Sequence, residues 1–268
     1  MVGTFAVMAL IGIVIGLFSG LLGIGGGMVM VPLFRLVFNM SAVGSTATSL
    51  FTIIPTSVSG AISHARAKTC VPKLGIALGI GGACTSWLGV WLAQLSPSWL
   101  VMLAAAAVIA YSGITMFRKA LKAPKRSIGD TNASVSVPER PVLNSKMLMI
   151  AAGIGAMAGV ASGYVGLGGG FIMVPLMVAA LNMPMKLTSG TSLIAVMILA
   201  FPATVMQCAL GNVEYIAGIA MACGTIPGAI VGAKLVRYVP ERTLRFVFAL
   251  FISIAAILLV LKEAGMLG

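Results

Sequence analysis

The length of its apolar runs constrains this chain more than any other feature. A helix needs about 20 mostly apolar residues to cross the hydrocarbon of a bilayer. Such runs follow one another almost from end to end: Thr4–Leu22 with a short continuation at Met28–Phe38, then Val43–Ser63, Leu74–Leu95 and Trp99–Phe117. A second set comprises Met147–Val165 with a continuation at Phe171–Leu181, then Leu187–Cys208, Ile216–Val236 and Leu244–Leu261. About eight transmembrane segments are expected, which makes the fold class an all-α polytopic membrane protein. The N-terminal run lacks a basic leader and a small-residue cleavage site, so it does not read as a secretory signal.

Charge decides what is excluded. Only 8% of the 268 residues are charged and 60% are hydrophobic, whereas a soluble domain carries about 25% charged residues. A soluble enzyme, a disordered chain and a nucleic-acid-binding domain are excluded. The net charge of +12 does not point to nucleic acid, because the basic residues cluster between apolar runs, as in cytoplasmic loops. The largest cluster, Arg118–Lys146, holds Arg118, Lys119, Lys122, Lys125, Arg126, Arg140 and Lys146 with Pro124, Pro138 and Pro141. It reads as a polar cytoplasmic linker between membrane units at 1–117 and 147–268.

The two units are copies. Gly16–Leu50 aligns without a gap on Gly159–Leu193 at an offset of 143 residues, with 16 identities in 35 positions. The identities include Ser19/Ser162, Asn39/Asn182, Thr48/Thr191 and Ser49/Ser192. Half-length repeats are a common build for secondary transporters. If each half crosses four times, the halves are parallel and 11 of the 17 Lys and Arg residues fall inside with the linker. If the first segment and its continuation form a re-entrant hairpin, the halves are inverted. Fifteen basic residues then fall inside, leaving Arg35 and Lys262 outside. The positive-inside rule favours two inverted halves with Gly-rich broken or re-entrant helices.

The motif at the centre of each copy is Gly-X-Gly-Gly-Gly: Gly23, Gly25, Gly26 and Gly27 in the first half, Gly166, Gly168, Gly169 and Gly170 in the second. Each glycine costs about 1 kcal/mol relative to alanine inside a helix, so four in five residues should break it. A break frees backbone polar groups, which at membrane depth must be buried in protein or face a water-filled cavity. The helix restarting after each tip would aim unpaired N–H groups and its positive dipole end at the glycines, a ready anion site. Close helix packing by small residues is the alternative. No βαβ pattern surrounds either motif, which argues against a dinucleotide fingerprint.

The doubled motif with Pro32 and Pro175 five residues on, followed by Gly-Ser-Thr-Ala-Thr-Ser-Leu50 and Thr-Ser-Gly-Thr-Ser-Leu193, resembles the TauE/SafE sulfite exporter family. The resemblance covers nearly the whole chain. It implies a multi-pass carrier for sulfite, thiosulfate or organosulfonates in a bacterial inner or plasma membrane. A channel with a Gly-lined constriction, or a carrier for another small organic anion, is the alternative.

Beyond the glycines, Thr48, Ser49, Thr191 and Ser192 are candidates for anion contact, although hydroxyls there can instead bond their own helix. Gln207, with Thr204, is a candidate polar lining. Asn39 and Asn182 suit helix-end turns. His64, the single histidine, is expected as a solvated cytoplasmic residue beside Arg66 and Lys68. Trp87, Trp91 and Trp99 suit an interfacial belt. Cys84, Cys208 and Cys223 read as small core hydrophobes. The five acids, Asp130, Glu139, Glu214, Glu241 and Glu263, avoid the middle of every apolar run. No catalytic pair, metal cluster or cofactor motif is expected, so the expected partners are a small anion and the lipid bilayer. An inside-negative potential drives anions outward, about 2.3 kcal/mol per charge per 100 mV, so export needs no coupling ion.

Overall fold

The computed structural model describes residues 2–122 and 143–236, with scattered positions from 238 to 253. The middle of the expected linker, residues 123–142, and most of the expected last segment, Leu244–Leu261, lie outside the described residues. Among the described residues the helices are α1 (Val2–Leu22), α2 (Gly27–Leu36), α3 (Ala42–Arg66), α4 (Pro72–Leu95), α5 (Ser98–Lys122), α6 (Ser145–Val165), α7 (Gly170–Ala180), α8 (Met185–Ala209) and α9 (Tyr215–Leu235).

Local chemistry sets their limits. The glycine clusters end α1 at Leu22 and α6 at Val165, and the chain becomes helical again at Gly27 and Gly170. Gly26 (φ 83°) and Gly169 (φ 70°) cap the new helices in the left-handed region. That region costs other L-residues roughly 1–2 kcal/mol, so these two positions call for glycine. Ser41 caps α3 by accepting from the Gly44 N–H at 3.0 Å, and Pro72 opens α4 without losing a needed donor. Asn39 and Asn182 follow α2 and α7 with φ of 50° and 49°, the helix-end conformation expected of them. The helix α5 runs through Arg118–Lys122, residues expected in the linker, because Arg, Lys, Ala and Leu are good helix formers.

Five helices among the described residues are long and apolar enough to cross a bilayer: α1, α4, α6, α8 and α9. Eight segments were expected. The helix α3 equals α8 at 25 residues, but its many hydroxyls lower its hydropathy.

The helices pack across the repeat. Gly12, Gly16 and Gly20 of α1 lie against Met221, Thr225 and Ala229 of α9, whose backbone fills the space a Cβ would take. At the same offset, Gly155, Gly159 and Gly163 of α6 lie against Leu78, Gly82 and Ser86 of α4. Residue numbers rise together along both contacts, so each pair runs side by side in one sense. The same holds for α3 with α9, where the Thr52 and Ser63 hydroxyls donate to the Gly218 and Ile230 carbonyls. It also holds for α4 with α8, where Gly75 and Gly79 meet Ile194 and Ile198. The central pair differs. Gly60 of α3 meets Leu193 of α8, while Gly190 meets His64, so α3 and α8 run in opposite senses. Backbone-on-backbone packing is how helices associate where lipid offers no hydrophobic drive.

One expectation is overturned here. Cys84 and Cys223 are exposed and Cys208 is half-buried. An apolar run does not say which stripe of a helix faces protein, and Cys84 and Cys223 lie on the outward stripe.

Candidate functional site: two glycine tips and their hydroxyls

Both tips reach the middle of the bundle. A Cβ on Gly25 would lie 3.0 Å from Val196 and 3.3 Å from Ile53, and one on Gly168 would lie 2.8 Å from Ile53. Ile53 stands near the middle of α3 and Val196 near the middle of α8. The tips also touch each other. A Cβ on Gly27 would lie 2.8 Å from the Leu167 carbonyl oxygen, and one on Gly170 would lie 2.7 Å from that of Gly23. Residues 23–27 and 166–170 are all buried.

The tips carry unused donors. The N–H groups of Gly25, Gly26, Gly27 and Met28 make no hydrogen bond among the described residues, as befits the first turn of a helix. The second tip is more closed, because the Gly170 N–H donates to the Gly168 carbonyl at 2.9 Å. Beside these donors stand three fully buried hydroxyls with no partner among the described residues: Ser19, Ser57 and Ser162. A Cβ on Gly26 would lie 3.5 Å from Ser19 Cβ, one on Gly169 would lie 3.4 Å from Ser162 Cβ, and one on Gly25 would lie 3.4 Å from Ser57 Oγ. Most buried polar groups are hydrogen-bonded, so each exception calls for an explanation. Sequence reasoning did not select these three serines. The Ser19/Ser162 identity in the repeat was the available signal, whereas the position at the same offset from Ser57 is Ala200 and gave none.

The hydroxyls chosen from sequence are placed differently. Thr48 Oγ1 accepts the Glu214 N–H at 3.0 Å, and Thr191 Oγ1 accepts the Val71 N–H at 2.9 Å. These are one bond repeated at the 143-residue offset, each tying a helix of one half to the start of a helix in the other. Thr191 also donates to the Leu187 carbonyl at 2.6 Å. Ser192 Oγ lies 2.6 Å from the Gly23 carbonyl and 2.9 Å from that of Ser189, bracing the first tip. Ser49 is fully buried and its hydroxyl has no partner among the described residues.

Two further residues change character. His64 is fully buried, not solvated as expected. Its Nε2 lies 2.7 Å from the Gly20 carbonyl oxygen and its Nδ1 lies 2.7 Å from Thr69 Oγ1. A carbonyl only accepts, so Nε2 carries the proton. His64 lies near the end of α3 beside the charged Arg66 and Lys68, but α1 ends alongside it and covers its face. Gln207, its counterpart, is likewise buried, and its Oε1 accepts from Asn212 Nδ2 at 2.8 Å. Thr204 contributes an unpartnered hydroxyl to a small cavity of about 290 Å³ between α3 and α8. No group of three or more metal-ligating side chains occurs among the described residues.

Five long apolar helices among the described residues, packed around buried breaks at the glycine tips, define a multi-pass membrane protein. The chain belongs to the sulfite exporter TauE/SafE family, whose description it matches over residues 8–259. It is 30% identical to the "Probable membrane transporter protein YdhB" of Bacillus subtilis over 254 residues, covering 94% of this chain and 97% of the relative. Two further proteins of that organism are similar. "Probable membrane transporter protein YunE" is 27% identical over 87% of each chain, and "Probable membrane transporter protein YjnA" is 25% identical over 94% of this chain and 98% of the relative. No solved structure matches the chain. The protein is therefore a multi-pass transporter of the cell membrane.

Proposed function

We propose that the protein is a carrier of small sulfur-containing anions, and that the anion is held where the two glycine tips meet. The observation that carries this reading is the coincidence, at mid-depth, of two helix N-termini with three buried, unpartnered hydroxyls. The donors offered are the Gly25–Met28 N–H groups and the hydroxyls of Ser19, Ser57 and Ser162, with Ser49 close by in sequence. Backbone donors and hydroxyls without a lysine or arginine bind an anion modestly, which suits a cargo that must be released. Thr48, Thr191 and Ser192 hold the helices that frame the site, and Gln207 holds the turn after α8.

The two halves are inverted in this proposal. The support is the sense of the helices: α1 and α3 run with α9, whereas their counterparts α6 and α8 run with α4, opposite to them. The helix α2 then returns from mid-depth to the side on which α1 began, as a re-entrant hairpin. The Arg66, Lys73 and Lys234 ends face the cytoplasm, and Arg35 faces outward. Complete burial of both tips supports a carrier with alternating access over a Gly-lined channel. Outward movement of the anion is driven by the membrane potential.

The test is flux of radiolabelled sulfite, thiosulfate, taurine and sulfoacetate in proteoliposomes with the potential clamped in either direction. At least one anion should move at a saturable rate that rises when the trans side is positive. Ser19→Ala and Ser162→Ala remove hydroxyls that have no hydrogen-bond partner among the described residues. Each should leave melting unchanged and weaken the transported anion 10- to 150-fold, the loss of one hydrogen bond to a charged ligand at roughly 1.5–3 kcal/mol. Normal transport by both serine variants would move the site elsewhere. Linear, non-saturating flux would favour a channel.

A further inference from the structure

A cavity of about 740 Å³ opens on the outer side of the bundle between α3 and α9. It contains none of the glycine-tip residues. Ile54, Pro55, Val58 and Ile62 form one wall and Ile226 and Ile230 the other. The two serines among its described lining residues are already engaged: Ser59 donates to the Thr56 carbonyl at 2.8 Å and Ser63 to that of Ile230 at 3.3 Å. The described lining of the groove is therefore apolar along its length, with a charged mouth. Arg66 and Lys234 stand together at one end, both exposed and both without an ion pair or hydrogen bond among the described residues. Glu214, the one acid among the described residues, is at the opposite end of α9.

We propose that this groove holds one acyl chain of an anionic phospholipid whose phosphate sits between Arg66 and Lys234. Length fits this occupant. From Ile54 to Arg66 the helix rises about 18 Å at 1.5 Å per residue, close to the depth of one leaflet of a roughly 30 Å hydrocarbon core. Charge fits as well, since two unpaired cations at the interface attract an anionic headgroup and basic sites between transmembrane helices take such headgroups. A free inorganic anion would use the cations and leave the apolar groove empty, whereas a zwitterionic lipid would use the groove and gain little from the cations. The position has a consequence for transport. Ile54, Pro55 and Val58 face the groove, while Ile53 and Ser57 of the same helix touch the Gly25 tip. One helix thickness separates the lipid from the site. The inference rests on the membrane reading alone and is independent of which anion is carried.

The experiment is native mass spectrometry and thermal unfolding of the full chain in zwitterionic detergent, with palmitoyl-oleoyl phosphatidylglycerol and phosphatidylcholine as probes. Phosphatidylglycerol should bind with one-to-one stoichiometry and raise the melting temperature more than phosphatidylcholine does. Arg66→Gln with Lys234→Gln should weaken phosphatidylglycerol about 30-fold, the conversion of roughly 1 kcal/mol for each basic residue. Val58→Trp, which fills the groove and keeps both cations, should weaken it as well. The proposal is overturned if the double glutamine variant keeps its preference for phosphatidylglycerol. It is equally overturned if glycerol phosphate or dihexanoyl phosphatidylglycerol stabilises as well as the long-chain lipid. Suppression of self-association by Val58→Trp, with no effect on lipid binding, would assign the groove to a second copy of this chain. None of these readouts requires transport, so failure here leaves the anion site untouched.

Discussion

Valine at Thr48 or Thr191 separates a framing role from a substrate-binding one. In each case a buried threonine oxygen accepts a backbone N–H from the other half, Glu214 at 3.0 Å and Val71 at 2.9 Å. Valine keeps the shape and removes the acceptor. The N–H is then left buried without a partner, which costs about 1–3 kcal/mol. For a chain of this size roughly 2–4 °C of melting temperature corresponds to each kcal/mol, so each single variant should melt about 2–12 °C lower. The two bonds share no partner, so the double variant should show close to the sum. Thr48→Ser and Thr191→Ser keep the acceptor and should stay near the parent. The assay is thermal unfolding in detergent, followed by anion affinity at a temperature where every variant is folded. A Thr191→Val protein that melts normally but binds anion 10-fold worse would refute the framing role and return this hydroxyl to the substrate.

Other expectations follow from the packing and the proposed topology. Gly16→Val drives a side chain into the Thr225 backbone and should reduce folded yield sharply, overpacking typically costing 1–3 kcal/mol or more. Gly153→Ala, with nothing within 4 Å of the new Cβ, should be neutral or stabilise by up to about 1 kcal/mol, and equal losses from both would refute the packing account. Cysteines placed at Ser96 and Glu214, in a chain lacking its native thiols, should react with an impermeant maleimide from outside, while those at Lys73 and Lys234 should not. External labelling at 234 would overturn the inverted arrangement. His64→Ala leaves both the Gly20 carbonyl and the Thr69 hydroxyl short of a partner and should lower the melting temperature. His64→Gln combined with Thr69→Asn copies the Gln207–Asn212 pair and should restore most of the loss in the same melting assay.

Much of the framework was legible in the sequence because it rests on strong local rules. Four glycines in five residues break a helix whatever surrounds them, and the breaks fall after Leu22 and Val165. Apolar runs located the five long apolar helices α1, α4, α6, α8 and α9 to within a few residues. What stayed hidden depends on which face of a helix meets which neighbour. His64 sits in a stretch bearing Arg66 and Lys68, and that charge suggested water, yet its own face meets Gly20 and Gly190. Cys84 and Cys223 lie in apolar runs that suggested a core, but they point outward. The four chosen hydroxyls were selected for identity between the copies. Identity in a repeat marks a shared task without saying which one, and for Thr48 and Thr191 the shared task includes bracing the opposite half.

That bracing bears on how the two halves could work together. The tip of the first half ends α1, which packs along α9 of the second half, and Ser192 of the second half lies against the Gly23 carbonyl. The second tip ends α6, which packs along α4 of the first half, and a Cβ on Gly166 would strike Thr46. Each tip is thus held by helices it does not adjoin in sequence. The backbone-on-backbone contacts of Gly12, Gly16 and Gly20 leave little room for α1 to slide on α9. The same holds for Gly155, Gly159 and Gly163 of α6 on α4. The α1–α9 and α4–α6 pairs therefore move as units if the molecule changes shape. The adjustable contact is the central one between α3 and α8, built from Ile53, Gly60, Leu193 and Val196, with side chains between the backbones. A rocking motion there would part the tips on one side of the membrane while closing them on the other, since the tips meet at the depth of Ile53. A disulfide engineered between positions 60 and 193, where Gly60 faces the Leu193 side chain, in a chain lacking its native thiols, should lock that contact. Transport should stop under oxidation and return on reduction, and oxidised protein that transports at the parent rate would show that α3 and α8 do not move.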